Sequence, residues 1–180
     1  FLSTFAAGTC SSEAIEYARQ AVLLSPKSPE TIDTMATIHE MLGSHEEALS
    51  SRLRLYQLNP TDLATILYIA DAYDSHMDDP GKSLQFAELA MKIKPEDPRV
   101  LDAMGWASYR TGRAMEGEDL IRQSIRSKPS ARSHVHMAQV FMQKGDLNKA
   151  GEQLGLAEDL SPDDETKAEI ERLKDDIARS

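Results

Sequence analysis

Five prolines set the length of the unit from which this chain is built. Pro26, Pro60, Pro95, Pro129 and Pro162 stand 34, 35, 34 and 33 residues apart. Twelve residues before each comes Ala14, Ala48, Ser83, Gly117 or Ala150, and five before each comes Ala21, Leu55, Ala90, Ser124 or Ala157. Gly43, Gly112 and Gly145 keep the same phase, five residues ahead of the small side chain. Ladders locked together over five copies describe an array of one supersecondary unit.

The stretch Leu101–Pro129 shows what that unit is. It falls into two helical halves, Leu101–Thr111 and Ala114–Ser127, broken at Gly112 and closed by Pro129. Leu101, Met104, Gly105 and Ser108 recur at three- and four-residue spacing and share one helix face. Gly117, Ile121 and Ser124 do the same in the second half. Small residues stand where two backbones must approach, Gly105 on one helix and Gly117 and Ser124 on the other. The pattern predicts a tight antiparallel pair that cannot bury its remaining faces without neighbours.

A period of about 34 with these positions resembles the tetratricopeptide repeat, or TPR. In the fourth unit the motif positions are Leu101, Met104, Gly105, Ser108, Gly112, Gly117, Ile121, Ser124 and Pro129. In the fifth they are His134, Met137, Ala138, Phe141, Gly145, Ala150, Leu154, Ala157 and Pro162. Two positions depart from the pattern: Arg52 takes an aromatic's place and His134 a bulky apolar one. Arg52 is expected to lay its stem over the core and keep its head in water, with Leu53 and Val135 carrying the packing nearby. The resemblance implies an all-α fold, a right-handed α-α superhelix of antiparallel helix pairs.

In chain order, residues 1–28 are a partial repeat, with Phe1 and Phe5 at motif positions and a second helix over Ser12–Leu24 presenting Ala14, Ala18 and Ala21. Residues 29–62, 63–97, 98–130 and 131–164 are full repeats, and residues 165–180 a capping helix. Ser28-Pro29 and Asp97-Pro98 read as N-cap and first helical residue. Asp79-Pro80 restarts the helix after a turn, His76–Gly81, that is one residue longer than the others. Ser44 to Glu47 reads as a capping box. The last helix carries a narrow stripe, Ile170, Leu173 and Ile177, among charges, as a terminal cap needs. The start has no such cap and begins at Phe1, so the sequence reads as a piece of a longer, bacterial-type TPR protein whose apolar N-terminal end supports self-association.

The charge is −10 and distributed unevenly, with 13 acids against 5 bases in residues 1–90 and 17 against 15 thereafter. That balance opposes phosphate binding, and with it the RNA-binding pentatricopeptide type of repeat. No apolar run approaches the ~20 residues of a membrane span, and no charged-then-apolar leader opens the chain. Cytoplasm and periplasm both stay open. Cys10, the one cysteine, permits no internal disulfide. His134 and His136 face different sides of a helix, and His39 and His45 straddle a turn without an acidic or cysteine partner, so no metal or other cofactor is expected. No phosphate loop or nucleophile constellation appears, and the chain reads as non-catalytic.

TPR ligands usually lie against the first helix of each pair, and the resemblance carries the inward positions onto this chain. They are Asp33, Thr37 and Glu40, then Leu67, Asp71 and Asp74. Asp102, Trp106, Tyr109 and Arg110 follow, and last Val135, Gln139, Met142 and Gln143. TPR domains that clamp a chaperone's acidic tail use Lys, Arg and Asn; the matching residues here are Asp33, Thr37, Asp71, Asp102 and Trp106, so a carboxylate ligand would meet like charge. The expectation is a protein-binding scaffold whose partner supplies a basic and apolar segment, anchored on Trp106 and Tyr109. Trp106 itself points away from its own pair, to the groove or to the next unit's first helix. A regulatory or targeting domain of a larger enzyme, or of an envelope or polysaccharide-export machine, is the alternative.

Overall fold

Most of the helices start where the sequence supplies a side-chain oxygen to the free amides of the first turn. In the computed structural model, which describes residues 16–17, 20, 23–25 and 28–180, nine helices have both ends among the described residues. They are α1 Pro29–Met41, α2 His45–Leu58, α3 Leu63–Ser75, α4 Pro80–Ile93, α5 Pro98–Arg110, α6 Ala114–Ser127, α7 Ala131–Gln143, α8 Leu147–Asp159 and α9 Asp164–Arg179. The described residues contain no strand. Phe1, Phe5, Cys10, Ala14, Ala18, Ala21 and Pro26 lie outside them, and so does the proposed self-associating end.

Aspartate does most of the capping. The Asp62 carboxylate accepts from the Thr65 amide at 2.9 Å, Asp97 from Arg99 at 2.9 Å and Asp163 from Thr166 at 2.8 Å. Ser28 caps α1 ahead of Pro29. Ser44, however, makes no side-chain capping bond; its backbone amide returns to the His39 carbonyl instead. The capping box lies at Ser130, whose hydroxyl and amide are both engaged by Ser133. Gly43, Gly112 and Gly145 turn the chain at φ of 68°, 91° and 77°. In the longer turn before α4 this role falls to Asp78, at φ 47°, since aspartate tolerates the left-handed region.

The chain divides into two compact units, residues 1–86 and 87–180. In the first, Leu49, Ile69 and Ala72 form a buried nucleus with Leu53, Tyr56, Tyr73 and Phe86 packed on it. Phe86 meets Tyr56 edge-on at 5.4 Å and stacks with Tyr73 at 5.8 Å.

The second unit contains the pair read from the sequence. A methyl group added to Gly105 would fall 2.8 Å from the Gly117 carbonyl oxygen and 2.8 Å from the Ile121 nitrogen. Added to Gly117, it would fall 2.5 Å from the Gly105 carbonyl oxygen and 2.6 Å from the Tyr109 nitrogen. α5 and α6 therefore touch backbone to backbone. Ser124, 1% exposed, donates its hydroxyl to the Pro98 carbonyl at 2.7 Å and ties the far ends of the pair. Val135, Ala138, Leu154 and Ala157 then form a second core with Ile170 and Leu173 of α9. His134, in the place of an apolar residue, is buried and bonded through Nδ1 to Gln153 at 2.8 Å.

Two outcomes follow. Gly105→Ala and Gly117→Ala should each cost about 1–3 kcal/mol in urea unfolding, because the obstructing atoms are backbone. Gly155→Ala, where an added methyl meets nothing within 4 Å, should be neutral or up to about 1 kcal/mol stabilising. The carboxyls of Asp62, Asp97 and Asp163 are held below the usual range by the Thr65 hydroxyl and amide, the Arg99 guanidinium and amide, and the Thr166 amide and hydroxyl. Their contribution is thus complete above the unfolded value, about 3.9, and is lost as pH falls through the lower folded value. Unfolding curves between pH 6 and 2 should show this loss, and Asp163→Asn, which keeps a capping oxygen, should reduce it.

Candidate functional site

Within the first unit, the inward positions gather around an arginine. Asp33 and Glu40 stand two turns apart on α1 and so share a face. Arg52 of α2 reaches both, with Nε 2.9 Å and Nη2 2.8 Å from Glu40 Oε1 and Nη1 bonded to Asp33. Its guanidinium also lies over the Tyr68 ring of α3, 4.9 Å from the centroid. The head is therefore paired rather than left in water, because two carboxylates stand within reach of a side chain only 15% exposed. Burial works against the Arg52 charge, yet Glu40 and then Asp33 outweigh it and raise its pKa. Burial, aided by the Glu40 charge, pushes the Tyr68 phenol up to about 12, with Arg52 opposing. Thr37 is exposed and Leu67 and Asp71 half-buried, while Asp74 is 8% exposed.

In the second unit the inward positions close over one another. Asp102, 5% exposed, stands 3.1 Å from His136 Nδ1. The His136 ring stacks on Trp106 at 4.6 Å and 3°, and the Tyr109 ring lies parallel to the indole at 6.0 Å and 8°. Arg110 places its guanidinium 5.9 Å from the indole centroid. Trp106 is 7% exposed and shares a core with Ile121, Met137, Val140 and Phe141. Of the two places open to it, it takes the one against the next unit's first helix. It is not a surface anchor. Val135, 1% exposed, offers a partner nothing either, because α9 covers it with Ile170 and Leu173. Gln139 is also drawn to α9, donating to Glu169 at 2.7 Å. Tyr109, Arg110 and Met142 remain half-buried and Gln143 exposed.

His136 is the residue that inspection of the sequence undervalued. It follows Asp102 by 34 residues, one repeat, and that spacing was the available signal. His45 meets His76 rather than His39, the rings stacked at 3.6 Å and 13°. Imidazole lone pairs lie in the ring plane, so two stacked rings cannot converge on one metal ion. Among the described residues no cluster of three metal-ligating side chains occurs.

Residues 131–164 match the family model of the tetratricopeptide repeat. The TPR repeat-containing protein PA4667 of Pseudomonas aeruginosa is 32% identical over 59 residues, 33% of this chain. The match spans 10% of that protein's length. TTC0263, a TPR protein of Thermus thermophilus, superposes with a TM-score of 0.66 at 17% identity, over 96% of this chain and 94% of its own. MamA of Desulfovibrio magneticus gives 0.67 at 18%, over 84% and 85%. YrrB, described as a TPR protein with an unusual peptide-binding site, gives 0.62 at 13%, over 94% and 88%.

The burial of Trp106 has a measurable consequence. Trp106→Ala should cost about 3–5 kcal/mol in chemical denaturation, so a binding loss in that variant reports unfolding as much as recognition.

Proposed function

We propose that this chain, a tetratricopeptide-repeat protein, is a non-catalytic scaffold that holds a basic and apolar segment of a partner against the first helices of its pairs. The fold is that of protein-protein interaction scaffolds, and in YrrB it carries a peptide-binding site. The observation that carries the reading is the charge on α1. Glu30, Asp33 and Glu40 there outnumber Arg52, the base bonded to the last two. A cationic segment gains from that excess and an acidic one meets repulsion. Each unit has its own half-buried apolar edge, Leu67 in the first and Tyr109 and Met142 in the second, and these replace the buried indole in recognition. No helix among the described residues is long and apolar enough to cross a membrane.

Selection from a random displayed peptide library tests this whatever the partner's identity. Peptides retained by the wild-type chain should be enriched in lysine or arginine together with leucine or an aromatic residue. Asp71→Lys should reduce recovery of those peptides at least about tenfold, the size of a 1.4 kcal/mol loss, with a thermal melt of the variant run alongside. Tyr109→Ala should reduce the apolar enrichment. Enrichment of acidic peptides would overturn the proposal.

A further inference from the structure

A cavity of about 350 Å³ opens in the first unit where the start of α1, the end of α2 and the start of α3 meet. Its apolar wall is Pro29, Leu55 and Leu58, and its acidic lining is Glu30, Asp33 and Asp62. The repeat register shows how this place differs from its counterpart in the second unit. Leu55 and Pro29 correspond to Ser124 and Pro98, 69 residues later in the ladder. There the Ser124 hydroxyl bonds the Pro98 carbonyl at 2.7 Å and draws the two ends together. Leucine has no hydroxyl to make that bond. Leu58 is left 46% exposed, whereas Leu55 is 8% exposed at the back.

We propose that this cavity receives a lysine or arginine side chain of the partner segment, its aliphatic stem along Leu55, Leu58 and Pro29 and its cation among Glu30, Asp33 and Asp62. The inference rests on the basic-partner reading above and gives it a specific pocket. Charge complementarity selects the occupant. A purely apolar side chain would strip water from the carboxylate oxygens that Arg52 on Asp33 and the Thr65 amide on Asp62 leave uncovered, and an acidic one would be repelled. A long basic side chain satisfies both walls at once, because its methylenes and its charged head sit at opposite ends.

The test uses the whole chain and a fluorescein-labelled twelve-residue peptide of alternating leucine and lysine pairs, followed by anisotropy. Leu58→Asn and Glu30→Gln should each weaken binding at least fivefold. Glu47→Gln, which removes an equal charge from an exposed site on α2, should change it less than twofold. Replacing the peptide's lysines by norleucine should abolish binding, and the Leu58 methyl resonances should move on titration of the lysine peptide. Equal effects of Glu30→Gln and Glu47→Gln would overturn the pocket, since they mean diffuse attraction only. Binding that Asp71→Lys abolishes but Leu58→Asn and Glu30→Gln leave intact would overturn the pocket while sparing the basic-partner reading. Failure of the peptide to bind the wild-type chain would overturn the pocket as well, whereas an acidic preference in the library selection would remove the reading beneath it.

Discussion

The contact of Gly105 with Gly117 is the constraint on which the second unit depends. Once two helix backbones touch, neither has a side chain left between them to fill space, and their apolar residues are displaced to the flanks. Ile121, Met104 and Ala107 are buried there, and Trp106 is carried against α7. The second pair is thereby recruited into the core of the first. The same logic continues to α9, whose Ile170 and Leu173 close the core of Val135, Ala138 and Leu154. The outer face of that helix is charged, with Lys167, Arg172 and Lys174 in ion pairs.

One repeat position shows how electrostatics is fitted onto this scaffold. Asp33 and Asp102 occupy equivalent places in the ladder, and each carboxylate is met by a group from another helix. Arg52 meets Asp33 and His136 meets Asp102. Asp102, removed from water, needs such a partner because desolvation otherwise costs more than packing returns, whereas Asp33 stays exposed and it is the largely buried Arg52 that needs the pairing. Residues that look like departures from the repeat pattern are thus matched to polar partners. Arg52 stands where an aromatic is expected and answers two of the acids of α1, Asp33 and Glu40; His134 stands where an apolar residue is expected and bonds Gln153.

These pairings divide the inward residues by role. Asp102, Trp106 and Val135 hold neighbouring helices together, while Asp33, Asp71, Tyr109, Met142 and Gln143 keep surface that another chain can reach. In the first unit Glu30, Asp33 and Asp62 line the gap beside Leu55, at the place Ser124 holds in its own pair. The proposed recognition accordingly rests on carboxylates and half-buried edges instead of on a protruding indole.

The repeat, the helix pairs and the close glycine approach were legible in the sequence, because each is a local or periodic property of the chain. Proline spacing, capping aspartates and small residues at three- and four-residue intervals act through neighbours within one repeat. The capping box expected at Ser44 does not form: its amide bonds the His39 carbonyl of the preceding helix and its hydroxyl makes no cap, and the pattern of side chains alone does not encode that outcome. What only the tertiary structure decided was which inward residues stay accessible and which are consumed by packing. Trp106 could equally have lined a surface; the stacking of His136, 30 residues further along, buried it. Burial on one helix depends on the shape and chemistry of the next, and that is set when the repeats stack, not when the residues are read.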